Sequence, residues 1–205
     1  MEIWPAVHTE RKALAGDLRG LSDEDWAKPS LCDDWTVRDV LAHMASAGQL
    51  TPPAFFGQMI GSGFSFDKVQ EKGVAAQRGA TPADTLANFE SVVTSVKHPP
   101  GPNPTWLGEV IVHSEDIRRA LGIQHQYPTD AVVQVADFYQ GSNLLIGSKR
   151  RISGLTLRAT DAEWTHGTGP EVSGPVLSLV MAMTGRKVAA NDLTGEGVAT
   201  LRSRS

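Results

Sequence analysis

Three residues of the chain could together bind a divalent metal. Glu109 and His113 are four residues apart in a segment of helical periodicity, so their side chains lie one above the other. His43 lies at the edge of the apolar face of another predicted helix. Two imidazoles and one carboxylate are ligands that zinc accepts, and three protein ligands leave a position open for chemistry. If the two helices pack in one bundle, the three side chains converge.

The same spacing also has ordinary explanations. A Glu-x-x-x-His pair is common on helices, where it forms a solvated ion pair that stabilises the helix only weakly. A single histidine beside an apolar face, such as His43, is more often a hydrogen-bonded core residue. The pattern by itself therefore leaves both the metal site and these alternatives open.

Two other residues of the same helix are candidates for supporting roles. Asp116 lies three residues after His113, where it could hydrogen-bond to a metal-binding histidine, or pair instead with Arg119 or Arg38. Arg118 falls within the apolar face, where a guanidinium needs a carboxylate or several carbonyl partners. For Arg118 we favour an internal tie to another element over an anchor for an anionic ligand.

The elements that must position these residues are mostly helices. Thr36 followed by Asp39 has the pattern of a capping box, Thr81 with Pro82 starts a helix, and Gly122 ends one. Apolar residues recur at helical spacing along much of the chain before residue 150. The predicted helices cover residues 6–21, 36–48, 52–60, 66–77, 81–96, 105–121 and 129–146.

The pattern changes near residue 150. Residues 155–159 alternate between apolar and polar types, which predicts a strand, and residues 175–184 form a short apolar helix. Residues 197–203 alternate again and predict a second strand. We therefore expect a mostly α protein, with a metal-binding helical bundle at 1–150 and a small α+β domain at 151–205. The second part is too small to be stable alone, so we expect it to dock on the bundle.

Composition excludes several classes of function. The chain has 205 residues and a net charge of −4, without the clustered positive charge that nucleic-acid binding requires. Its one cysteine, Cys32, cannot form an internal disulfide. No run approaches the ~18 apolar residues of a membrane helix, and the N-terminus lacks the apolar core of a signal peptide. We expect a cytoplasmic protein with neither nucleic acid nor membrane as partner.

Three blocks of the sequence, in this order, resemble the mycothiol-dependent maleylpyruvate isomerase family. They are DDWTVRDVLAHMAS, GEVIVHSEDIRRALG and LTLRATDAEWTHGTGPEVSGPVLSLVMAMTGR. The resemblance runs from Leu14 to Arg202. The family belongs to the DinB-like superfamily of metal-binding four-helix proteins.

The resemblance implies a DinB-like up-down four-helix bundle followed by a short C-terminal strand–helix–strand domain. It implies one divalent metal, usually zinc, with His43, Glu109 and His113 as ligands. It also implies that an arginine near the end of the C-terminal domain contacts acidic substrates, and Arg186 is the matching position.

The implied function is an enzyme that uses mycothiol, the low-molecular-weight thiol of actinobacteria, as a cosubstrate. The metal would activate the thiol as a thiolate for attack on a small electrophile, in an S-transferase or an isomerase reaction. Two alternatives remain at this point: a metal-dependent hydrolase that activates water, and a non-catalytic ligand-binding protein. The sequence leaves the electrophile and the oligomeric state open.

Overall fold

The computed structural model describes residues 2–32, 34–143 and 146–204. These residues form two compact units, Met1–His125 and Gln126–Ser205.

The first unit is helical. Its helices are α1 (Trp4–Asp17), α2 (Asp23–Ala27), α3 (Val37–Gln49), α4 (Pro52–Gly61), α5 (Phe66–Arg78), α6 (Pro82–Glu90) and α7 (Asn103–Leu121). Helix α3 lies at the centre, because it packs against α5, α6 and α7, while α1 packs against α7 and α6. The interior between α3 and α7 is apolar, and side chains such as Leu41, Met44 and Ile111 are fully buried.

Local sequence signals set the ends of the helices that carry the candidate site. The predicted capping box of α3 is present: the Asp39 backbone N–H donates to Thr36 Oγ1 (3.2 Å) and Asp39 Oδ2 accepts from the Thr36 N–H (3.1 Å). Helix α7 ends at Gly122, which has the left-handed conformation (φ 71°) that favours glycine. Helix α7 was predicted to begin at Thr105, but it begins two residues earlier, at Asn103, because Pro104 fits the first turn of a helix.

Two predictions for this unit need correction. The short helix α2 has no counterpart among the predicted helices. The helix predicted at 81–96 ends at Glu90, and residues 91–94 form turns. Arg11 stabilises the turns that follow α6, because its Nη1 donates hydrogen bonds to the carbonyls of Val92 and Ser95 at 3.1 and 3.0 Å.

Arg118 is a fully buried cation that joins α7 to α1. Its Nε and Nη2 each lie 2.8 Å from Asp17 Oδ2, and its Nη1 lies 3.8 Å from Glu10 Oε2. The predicted internal tie is therefore confirmed. Because α7 carries Glu109 and His113, this ion pair helps to fix the helix that bears the candidate ligands.

The second unit begins with α8 (Thr129–Tyr139) and α9 (Ser148–Arg151). Strands β1 (Thr156–Ala159), β2 (Thr165–Gly167) and β3 (Glu171–Gly174) follow, then α10 (Val176–Met183), a 3₁₀ helix (Lys187–Asp192) and α11 (Val198–Ser203). The strand order is β2-β1-β3, with β1 antiparallel to β2 and parallel to β3. Apolar α10 is almost wholly buried and packs against α8 and β1.

Close backbone packing explains the glycine at the end of β2 and the glycine in the turn that follows it. At Gly167 (φ +85°) a Cβ would lie 2.2 Å from the carbonyl oxygen of Leu155, and at Gly169 (φ +133°) it would lie 2.1 Å from that of Gly154. Any other residue would clash with backbone at these positions. The glycines therefore serve the turn, as their sequence context indicated.

The first strand and the apolar helix of the second unit are confirmed, but the second strand predicted at 197–203 is wrong. These residues form α11, in which Leu201 is fully buried. An alternation over seven residues also fits a short helix, and β1 already has a neighbour on each side. The domain boundary predicted at residue 150 differs from the structure, which divides the chain at His125, because α8 packs against α10.

The helix predicted at 129–146 ends at Tyr139, and its predicted residues Leu144 and Leu145 lie outside the described part of the chain. Within that described part, no helix combines the length and the apolar character needed to cross a bilayer.

We predict that Arg118→Met lowers the free energy of unfolding by about 3–5 kcal/mol, because it removes the fully buried cation that pairs with Asp17 and lies near the buried carboxylate of Glu10. Urea unfolding measures this change. Arg19→Met is the matched control: it removes an exposed pair with Glu90 (2.7 Å) and should cost no more than about 1 kcal/mol. Equal losses in the two variants would contradict the role of Arg118.

Candidate metal centre

His43, Glu109 and His113 come together in the first unit. His43 lies on α3, and the other two lie one turn apart on α7, which packs against α3. One ligand atom from each residue can be chosen so that all three lie within 4.8 Å of one another. The convergence expected from the helical pattern is therefore present, while metal binding itself stays a prediction.

Glu109 carries a carboxylate that the described protein leaves unpartnered. Both of its oxygens are buried, and neither has a hydrogen-bond partner within the described ranges. Burial raises the pKa of Glu109, and electrostatic interactions with His113 and Arg11 act in the opposite direction. An unpaired buried carboxylate is costly, and a cation between it and the two imidazoles would remove that cost. The donor set therefore fits a divalent metal.

His43 is held as a neutral imidazole. Its ring centroid lies 5.0 Å from those of both Trp35 and His113. Burial lowers the pKa of His43 to about 3, and repulsion from His113 adds to the effect. A neutral ring is the form that binds a metal, so His43 needs no proton loss at physiological pH.

Asp116 orients His113. Its Oδ2 lies 3.0 Å from His113 Nδ1, and the residue is fully buried. A carboxylate can only accept here, so Nδ1 carries the proton and Nε2 keeps its lone pair for a metal. The hydrogen bond to His113 that was considered for Asp116 in the sequence is thus present, while its support of a metal ligand stays a prediction. Arg119, one of the alternative partners, donates its Nε to Glu115 at 2.7 Å.

Comparisons with known proteins bear on this geometry. Residues 7–100 match the family model described as the mycothiol maleylpyruvate isomerase N-terminal domain. This stretch, which lies within the first unit, is therefore similar to that domain. The match includes His43 but ends before Glu109 and His113.

Two solved structures of the mycothiol-dependent maleylpyruvate isomerase share the fold of the chain. They are the crystal structure of that enzyme (TM-score 0.67) and that of a histidine-to-alanine mutant of it (TM-score 0.66). Each is 14% identical in sequence, and the alignment covers 94% of this chain and 91% of the other. The similarity confirms the predicted fold class, a helical bundle with a small C-terminal appendage. No curated protein sequence matches the chain significantly.

In the first unit, the structure brings further residues to the centre that the sequence alone did not indicate. Cys32 offers a sulfur that lies, with ligand atoms of His113 and Asp116, in a second group within 4.8 Å. A backbone hydrogen bond from Leu31 N to Asp116 O (3.3 Å) holds this loop against α7. Nothing in the loop sequence signals that contact. Arg11 and Trp35 were also missed, because their proximity depends on helix packing.

Arg186, the predicted substrate-binding arginine, belongs to the second unit. It is half-buried, follows Gly185 at the start of the 3₁₀ helix, and donates Nη1 to the Thr184 carbonyl at 3.2 Å. Its guanidinium is thus anchored within its own unit, and a role toward substrate stays a prediction.

We predict that Asp116→Asn weakens metal affinity by roughly 10–100-fold, because an amide holds His113 Nδ1–H less firmly than a carboxylate does. Competition with a chromogenic chelator measures the affinity. Glu115→Gln, which changes the neighbouring acid that pairs with Arg119, is the control and should leave the affinity unchanged. Unchanged affinity in both variants would remove Asp116 from the centre.

The metal-free protein should lose stability on acidification because of His43. Its pKa falls from 6.5 to about 3 on folding, so its contribution is complete above pH 6.5 and declines as the pH falls toward 3. Between pH 7 and 4.5 the loss from this residue should be about 2–3 kcal/mol. Urea unfolding of His43→Gln should show a shallower decline. Parallel pH profiles for the two proteins would contradict the assignment.

Proposed function

We propose that the chain is a mycothiol-dependent isomerase or S-transferase with a divalent metal bound by His43, Glu109 and His113. The observation that carries the proposal is the buried, unpartnered carboxylate of Glu109 beside two imidazoles. The family-model match over residues 7–100 and the fold shared with the solved structures support mycothiol as the thiol. The cytoplasmic location expected from the sequence belongs to the same proposal.

Each residue of the proposed centre has a distinct role. His43 enters as a neutral ligand, Glu109 contributes negative charge, and Asp116 holds the His113 ring in the ligand tautomer. When bound, a divalent metal would lower the pKa of a coordinated thiol, so that a thiolate exists at neutral pH. Three protein ligands leave room for that thiol, as a catalytic site requires.

We propose zinc as the metal, since its usual donors include imidazole nitrogen and carboxylate oxygen. Nickel, cobalt and iron also accept this donor set, so the ligands alone do not select among them. Maleylpyruvate is the first electrophile to test, because the solved relatives are named for it. Its carboxylate groups are the kind of anion that Arg186 could bind through two parallel N–H donors.

The activity test uses zinc-loaded protein with mycothiol and maleylpyruvate, followed by a panel of electrophiles, with products identified by mass spectrometry. Turnover should require both mycothiol and metal, and Glu109→Gln should lower it at least about 100-fold, because the centre then lacks its anionic ligand. Glu115→Gln should keep wild-type turnover.

Two results would contradict the proposal. Ester or amide turnover without any thiol would favour a metal-dependent hydrolase. Retention of an apolar ligand, with no thiol-dependent turnover across the panel, would favour a binding protein.

Arg186→Lys should raise KM for an anionic electrophile roughly tenfold and leave kcat and metal content unchanged, because lysine cannot form the forked contact. Steady-state kinetics with the thiol and the electrophile each varied separate the two substrates. Arg158→Lys, which changes an exposed arginine paired with Glu171 (2.9 Å), is the control. Wild-type KM values in the Arg186 variant would show that this arginine takes no part.

A further inference from the structure

Arginine side chains line a cavity of about 410 Å³ in the second unit. The lining residues are Gly147, Arg150, Arg151, Ser153 and Arg204. None of them is acidic, and none of the three arginines forms an ion pair with another described residue. Three guanidinium groups thus share a small space without a negative charge from the described residues.

Two of these arginines are fixed by backbone carbonyls. Arg151 donates Nη1 to Ile146 O (3.1 Å) and Met183 O (2.5 Å), and Nε to Arg204 O (3.2 Å). Arg204 donates Nη1 to Arg151 O (3.0 Å) and Ser153 O (2.6 Å). The two residues therefore hold each other in place, and the Nη2 of each has no acceptor within the described ranges. Donors fixed in this way lose little entropy when a ligand binds.

Arg150 provides the third guanidinium. Its backbone N–H is bonded to Asn143 Oδ1 (2.9 Å), but its exposed side chain has no hydrogen-bond acceptor in the described part of the chain. Burial lowers the pKa of Arg151, and the positive charges of Arg150 and Arg186 lower it further. The cations therefore repel one another, and an anion between them would relieve that repulsion.

We propose that this cavity binds a small oxyanion, a carboxylate or phosphate group, through the guanidinium of Arg150 and the Nη2 groups of Arg151 and Arg204. Guanidinium groups match such anions because two parallel N–H groups meet two oxygens. The site lies within the second unit and does not depend on the proposed metal chemistry.

Titration with inorganic phosphate at constant ionic strength tests the site, and malonate in a parallel titration tests the carboxylate source. The NMR signals of the arginine Nε–H groups should shift and saturate together in the wild-type protein. Arg150→Gln should weaken binding roughly tenfold, because it removes one forked contact. Lys149→Gln removes the same charge from the neighbouring exposed residue, which does not line the cavity, and should change affinity by less than about threefold.

The probe that binds with the higher affinity shows whether the site prefers a phosphate or a carboxylate group. Shifts that stay linear with both probes into the tens of millimolar would overturn the proposal. Equal weakening by the Arg150 and Lys149 substitutions would also overturn it, because general charge attraction would then explain the binding. Arg150→Lys, which keeps the charge but loses the fork, should give an intermediate affinity, and it replaces Arg150→Gln if that variant does not fold.

Discussion

A carboxylate buried among helices without a partner is the constraint on which the candidate centre depends. Glu109 places two unpaired oxygens in the interior of the first unit, next to His113 and within reach of His43. The charge of Arg11, itself buried, favours the ionised acid, yet desolvation still raises the pKa of Glu109. A divalent cation would satisfy the carboxylate and both imidazoles at once, which no single side chain among the described residues does.

The same unit shows how a buried charge is stabilised when a protein partner is present. Arg118, further along α7, is fully buried, and its Nη2 lies 2.8 Å from Asp17 Oδ2 on α1. Asp116 likewise has a defined partner in His113. Glu109 is the exception on this helix, and the contrast supports a ligand as its missing partner. The ion pair and the capped start of α3 also position α7 and α3, so fold stability and site geometry share the same contacts.

Helical periodicity was enough to predict where the candidate ligands lie. The spacing of four between Glu109 and His113 fixes their alignment, and the edge position of His43 requires only that α3 and α7 pack together. The contacts of Arg11 and Cys32 could not be predicted, because they depend on how α1 and a loop approach α7. The strand predicted at 197–203 was wrong for a related reason: seven alternating residues do not distinguish a strand from a short helix, and the sheet order decides.

Metal content measured by elemental analysis tests the central claim most directly. Protein purified in excess zinc and then desalted should carry one ion per chain, and His43→Ala and His113→Ala should each lose it. His125→Ala is the control, because His125 Nε2 pairs with Glu10 Oε2 (2.7 Å) and belongs to neither candidate metal group among the described residues, so this variant should keep the ion. Full metal content in either ligand variant, or loss of the ion in all three, would contradict the account.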